Sequence, residues 1–321
     1  MIGELFALVA AVLWSLHVIF ARKAHSKNVT SANPLDPMVG LFITIFVNNV
    51  VNFFVLTTRF FISPPSAPAC VTGIIAIAIV GVSNSFVGRG MLFLCVGILG
   101  AARTGLTRAT MPVFVLLGGV LVLGERFSPQ AWLGIGIVFL SLFMMSIDTV
   151  RKENQHNAET GRLDTEKSRA GRIRLMKGIA IGMSAAMIMG SGSILRKAGV
   201  DILSDPILAV SIDSFSALIA CVTVLLIRRK GRDILRAIKN IEFNYMMSGL
   251  FASAGLYTMM YALSLIPVAI TNSITATEPL FTILFVWLMK EGKKEKLGIQ
   301  TLLFGIIMFT GTIILITSGA N

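Results

Sequence analysis

Charge is scarce in this sequence. Only 14% of its 321 residues are Asp, Glu, Lys or Arg, where a soluble domain carries about 25%. Hydrophobic residues supply 55%, and the mean hydropathy is +0.82. Such a chain reads as an integral membrane protein whose apolar residues face lipid and neighbouring helices. Strict apolar–polar alternation in strand-length segments is also absent, which argues against an outer-membrane barrel. The fold class expected is all-α.

Catalytic and metal-binding signatures are missing too. Cys70, Cys95 and Cys221 lie in or beside apolar runs without CxxC spacing, so they read as packing residues. His17, His25 and His156 are far apart. There is no HExxH, Walker A loop or GxSxG. No enzyme activity, metal or cofactor is expected. Without a nucleotide site, a carrier must draw on a proton or solute gradient, or equilibrate its solute. A basic n-region and a clear cleavage site are lacking before the first apolar run, which reads as a retained helix.

What is present is a series of ten apolar runs, each near the ~20 residues a bilayer crossing needs. They cover about 3–21, 38–58, 69–97, 101–124, 129–147, 178–195, 206–227, 243–266, 268–289 and 297–318. Ala276-Thr277-Glu278-Pro279-Leu280-Phe281 lies inside the ninth, and a near-copy, Ala109-Thr110-Met111-Pro112-Val113-Phe114, lies inside the fourth. Both place a proline mid-run, where a helix loses a hydrogen bond and meets a clash. Pro112 and Pro279 are therefore expected helix kinks, with Thr110 and Thr277 beside them.

Further matches run in the same order. Arg22-Lys23-Ala24 closes the first run and Arg196-Lys197-Ala198 the sixth; Asp36-Pro37 opens the second and Asp205-Pro206 the seventh. The pattern divides the chain into a first five-helix repeat (1–150), a charged linker (151–177) and a second five-helix repeat (178–321). An odd number of crossings per repeat inverts the second half, and inverted repeats place a solute site near the midplane. The Arg151–Lys177 segment reads as mostly disordered. Residues 234–241 read equally as an amphipathic surface helix or a basic loop.

Loop charge orients the chain. The loops after the first, fifth, seventh and ninth runs hold most of the Lys and Arg, whereas the opposite loops hold Arg59, Arg126, Arg196 and Lys197. This accounts for the net charge of +12 without nucleic acid, and the positive-inside rule puts both termini outside. The expected partners are the bilayer and a small-molecule substrate.

Ionisable and polar groups inside the runs are the site candidates, because a central charge costs roughly 2.5–3.5 kcal/mol on insertion scales. His17 and Trp14 share a face of the first helix, either lining a cavity or with the histidine bonded to a neighbouring helix. Asn48, Asn49 and Asn52 form a stripe that reads first as helix–helix glue. Asn84, Arg89, Arg108, Asp213 and Glu278 complete the charged and amide set, and sequence does not pair them. Tyr257 and Tyr261 either line the cavity or pack. Thr271, Asn272, Thr275 and Glu278 form a polar stripe beside the second proline. Gly190-Ser191-Gly192 reads first as a packing site.

Several of these features resemble the EamA-type ten-helix group of the drug/metabolite transporter superfamily. They are Leu13-Trp14-Ser15 with Phe20-Ala21-Arg22-Lys23-Ala24, and Thr104-Gly105-Leu106 with Ala109-Thr110-Met111-Pro112. Leu123-Gly124-Glu125-Arg126, Tyr261-Ala262-Leu263 and Glu278-Pro279-Leu280-Phe281 follow in order. The ninth run ends Met289-Lys290-Glu291-Gly292, which departs from the family pattern. The resemblance implies a multi-pass secondary carrier of a plasma (inner) membrane, with alternating access to a central cavity. The expected function is export of amino acids, metabolites or drugs. The alternatives are an organic-anion or sugar-phosphate exchanger of the same fold, and a membrane-embedded enzyme or scaffold. The family plan places both termini in the cytoplasm, opposite to the loop charge.

Overall fold

The computed structural model describes residues 1–29, 36–62, 70–99, 104, 107–108, 110–159, 169–288 and 299–318. All regular structure among them is helical. The helices are α1 (Ile2–Val29), α2 (Pro37–Ile62), α3 (Val71–Val80), a π-helical segment (Gly81–Gly88), α4 (Arg89–Leu99), α5 (Met111–Leu121) and α6 (Pro129–Glu159). There follow α7 (Arg169–Leu203), α8 (Pro206–Ile227), α9 (Gly231–Lys239), α10 (Phe243–Leu265), α11 (Val268–Thr275), α12 (Glu278–Leu288) and α13 (Ile299–Ser318).

Stretches in α1, α2, α3 with the π segment, α7 and α8 are long and apolar enough to cross a membrane. Met111–Leu121, Pro129–Met145 and Leu303–Ile314 are shorter apolar helices. The long hydrophobic side chains left exposed, such as Phe53, Phe54, Leu133, Phe215 and Ile306, are those of a lipid-facing surface. Lipid tails are as apolar as leucine, so close packing of small residues and interhelical hydrogen bonds hold such helices together. The packing follows that rule. A Cβ on Gly255 would stand 2.1 Å from the Trp14 ring, and one on Gly118 1.8 Å from Ile194. At Gly190 and Gly192 a Cβ would press on Phe114 and Asn84, so these glycines set close helix contacts.

The helix contacts are reciprocal between the halves. α1 packs along α10, and α3 to α4 pack along α7. α2 contacts α10, and α8 contacts α3 and the π segment. α1 meets α11 and α12, and α7 meets α5. Two pairings join like to like across the halves, α2 with α8 and α6 with α13.

Three expectations change, and one open alternative resolves. The prolines do not kink continuous helices. Pro112 and Pro279 are the second residues of α5 and α12, near the start of a helix, where a missing N–H costs nothing. The charged linker is not a long coil. α6 continues to Glu159 and α7 begins at Arg169; its Lys, Arg, Glu, Gln and Ala are good helix formers, and only 160–168 lies outside the described residues. Arg196 and Lys197 are not loop charges. α7 runs past them to Leu203 and stops at Ser204, whose φ is 52°, a left-handed cap before Asp205-Pro206. The basic segment after α8 resolves as the helix α9, which buries Ile234 and Ala237 and exposes its Arg and Lys. The end of the ninth run, Met289 to Gly292, lies outside the described residues.

Candidate functional site

The two broken stretches make the same pair of hydrogen bonds. The Thr110 hydroxyl donates to the Thr107 carbonyl at 2.7 Å, and the Thr277 hydroxyl to the Ile274 carbonyl at 2.7 Å. The N–H groups of Val113 and Leu280 donate to the carbonyls of Thr110 and Thr277 at 3.1 and 2.9 Å. Each break thus closes on a turn, with a hydroxyl supplying a hydrogen bond inside the membrane.

Between the breaks lies an ion pair. Arg108 Nη2 donates to Glu278 Oε2 at 2.9 Å and Nη1 to Oε1 at 3.3 Å. Glu278 opens α12, where the N-terminal dipole also favours a carboxylate. The pair is uneven in exposure: the Arg108 side chain is 37% exposed and Glu278 7%. The repeat does not duplicate it, because Met111 stands where the second half has Glu278 and Thr275 where the first has Arg108.

A second network is closed off. Arg196 on α7 forks onto Asp213 Oδ2 from Nη2 at 2.7 Å and Nε at 3.1 Å. Ser85, in the π segment, donates to Asp213 Oδ1 at 2.5 Å and accepts from Arg196 Nη2 at 3.3 Å. Arg196 and Asp213 are 4% and 0% exposed. Gly81 brings the π segment against α8; a Cβ there would meet the Asp213 carbonyl oxygen at 2.3 Å. Arg196 escaped the sequence reading because the sixth run was ended too early. Continuation of the helical pattern through Gly199-Val200 to the Ser204-Asp205-Pro206 turn was the signal available.

Arg89 sits where the π segment returns to α4 and is half-buried. It lies within electrostatic range of Asp213, Arg196, Arg108 and Glu278, and His17 within range of Arg89 and Arg108. Among the described residues the Arg89 side chain makes no hydrogen bond or ion pair. His17 Nδ1 is held at 2.9 Å from the Ser248 carbonyl and 2.8 Å from its hydroxyl. A carbonyl only accepts, so Nδ1 carries the proton and Nε2 is the remaining acceptor. Trp14, one turn away, buries its Nε1 without a hydrogen-bond partner.

The other candidates are mostly spoken for. Thr271, Asn272 and Thr275 donate to the carbonyls of Pro267, Val268 and Thr271, so the polar stripe spends donors on its own helix. Asn84 donates to the Met189 carbonyl at 3.4 Å. Tyr257 lies near Ser211 without a completed hydrogen bond, and Tyr261 stacks on Phe6 at 5.5 Å. Asn48 and Asn49 tie α2 to Ser214 of α8. The groups the structure gathers are therefore His17, Arg89, Arg108 and Glu278, with Asp213 in the adjoining network, while Trp14 packs against Gly255 in an apolar cluster.

The Leu123-Gly124-Glu125-Arg126 turn has its own task. Gly124 takes φ +66°, a conformation that suits glycine. It turns Glu125 so that Oε1 accepts from the Val268 N–H at 2.5 Å and Oε2 from the Ala269 N–H at 3.3 Å, capping α11. Burial raises the Glu125 carboxyl above its usual range, and the two amides act against that rise. Nearby, Lys197 donates to the Leu263 carbonyl at 2.7 Å, capping the end of α10. Sequence reading singled out this turn by its pattern, not by this contact.

Comparison with known proteins follows the same lines. A crystal structure of another protein superposes on 98% of this chain and 96% of its own with a TM-score of 0.65, at 12% identity; that likeness shows the fold alone. No curated protein matches the sequence. The model of the EamA-like transporter family matches residues 1–147 and 176–317. The chain is a multi-pass membrane protein and belongs to the EamA-like transporter family.

Proposed function

We propose that the protein is a secondary transporter of small organic solutes in a plasma (inner) membrane. It works by alternating access, with two inverted five-helix halves that rock about an interior site. The observation that carries this reading is the Arg108–Glu278 pair at the starts of two equivalent broken helices, one from each half. The reciprocal helix contacts support the inverted repeat, and both halves of the chain match the transporter family model.

In this mechanism the pair is exchangeable. Arg108 is partly hydrated, so the guanidinium swings away at modest cost while the buried Glu278 requires a new partner. A proton or a cationic solute group supplies one. Exchange of partners at the breaks then couples occupancy of the site to which side is open. The buried Arg196–Asp213–Ser85 network holds α7, α8 and the π segment together while this happens.

Counterflow in proteoliposomes tests the reading. Purified protein loaded with a mixture of amino acids, amines and organic anions is expected to accumulate a labelled member of the set. Glu278→Gln is expected to remove coupled uptake while expression and monodispersity stay intact. Full transport by that variant would falsify a role for Glu278.

A further inference from the structure

Around Arg89, among the described residues, positive charge outnumbers negative. Arg89, Arg108 and Arg196 face Glu278 and Asp213, and each acid is already engaged. Arg108 takes both Glu278 oxygens, and Ser85 and Arg196 take the two oxygens of Asp213. Among the described residues neither of these two carboxylates is left for Arg89, which is half-buried where the π segment ends. An unpaired guanidinium drawn partly out of water is unfavourable, and an intramembrane charge without a structural partner points to a ligand. A guanidinium offers donors in a fork that fits a carboxylate or phosphate. A second unsatisfied donor, Trp14 Nε1, and one unused acceptor, His17 Nε2, lie on α1. A π segment is itself a frequent mark of a functional position, because it re-aims the residues at its end.

We infer that Arg89 binds the anionic group, a carboxylate or phosphate, of the transported solute, with His17 within electrostatic range for its remaining polar atoms. This rests on the carrier reading above and narrows its substrate class. Glu278 then neutralises Arg108, so that the site attracts one anionic group and not two.

The test uses the full chain purified in detergent. Thermal stabilisation is measured with L-glutamate, L-malate, inorganic phosphate and glucose 6-phosphate, and with putrescine, choline and glucose at matched ionic strength. At least one anion is expected to raise Tm by about 3 °C at about 10 mM, as mass action requires for a ligand well above its Kd. Arg89→Gln is expected to weaken that anion at least about tenfold, and Arg89→Lys to keep part of the affinity. Arg89→Gln alone is expected to leave Tm unchanged or higher, since the group removed has no partner; a large fall would mark Arg89 as structural and overturn the inference. So would stabilisation by cations or neutral solutes only, by no solute, or by anions equally in Arg89→Gln. Repeating the measurement in phosphatidylcholine vesicles with and without phosphatidylglycerol separates a solute from a lipid headgroup; a response to the lipid alone also overturns it. Anion binding without counterflow would keep the site and reject the carrier. Counterflow confined to amines and unchanged in Arg89→Gln would keep the carrier and reject the site.

Discussion

Arg108 and Glu278 stand 170 residues apart in sequence and meet through both terminal guanidinium nitrogens and both carboxylate oxygens. Each sits near the proline of one of the two near-copied segments, so the pair ties those segments together. Arg108 is 37% exposed, which sets this pair apart from the sealed Arg196–Asp213 pair and gives the two opposite expected responses to mutation.

Glu278→Gln leaves Arg108 able to turn to water. The expected loss in stability is small, at or below about 1 kcal/mol, the range of an exposed pair. The expected loss in coupled uptake is about tenfold or more. Transport and Tm measured on the same preparation check this; a large fall in Tm with uptake preserved would reverse the assignment.

Asp213→Asn strands Arg196 where water does not reach. Breaking a buried pair from one side costs about 3–5 kcal/mol, so a strongly destabilised protein is expected. The double substitution Arg196→Met with Asp213→Leu removes both charges and is expected to recover most of that loss. Denaturation midpoints of the single and double variants measure it, with the single Arg196→Met closing the cycle.

The π segment depends on contacts that only glycine permits. Gly81→Ala places a methyl 2.3 Å from the Asp213 carbonyl oxygen and 2.0 Å from the Ser216 hydroxyl oxygen, and backbone cannot give way as a side chain can. A loss of about 1–3 kcal/mol is expected. At Gly90 the added methyl meets nothing within 4 Å. Gly90→Ala is expected to be neutral or to stabilise by up to about 1 kcal/mol. Equal effects at the two sites would show that the close approach at Gly81 is not what matters.

Glu125 has a pH signature. Its carboxyl is raised by burial, so the folded state holds this proton to higher pH than the unfolded state. The unfolded state then binds fewer protons in that window, and stability falls as pH rises from the ordinary glutamate value through the raised one. Glu125→Gln is expected to remove that slope. Glu125→Ala also uncaps Val268 and Ala269 and is expected to cost about 1 kcal/mol. Tm against pH for the three proteins checks both.

The orientation is testable with a native thiol. Cys70 is exposed, whereas Cys95 and Cys221 are buried. Loop charge puts the start of α3 outside and the exposed Lys239 of α9 inside. An impermeant thiol reagent on intact cells is expected to label Cys70. Lys239→Cys, in a background lacking Cys70, is expected to react only after permeabilisation. The reverse pattern would restore the family plan with both termini in the cytoplasm.

The sequence by itself determined the membrane class, since 14% charge leaves no means of covering a soluble surface. It also displayed the near-copied Ala-Thr-x-Pro and Asp-Pro segments, because such matches are local and survive as text. Arg89, Arg108, Asp213 and Glu278 were visible as charges in apolar runs for the same reason. Tertiary structure decided how they combine. Pairing depends on which helices touch, and α1 with α10 or α3 with α7 are contacts across the chain that no local pattern encodes. It alone brought Arg196 inside, since the fate of a charge near a helix end depends on where the next helix packs. It alone left the Arg89 side chain without a partner among the described residues, because Glu278 and Asp213 are taken by Arg108 and Arg196.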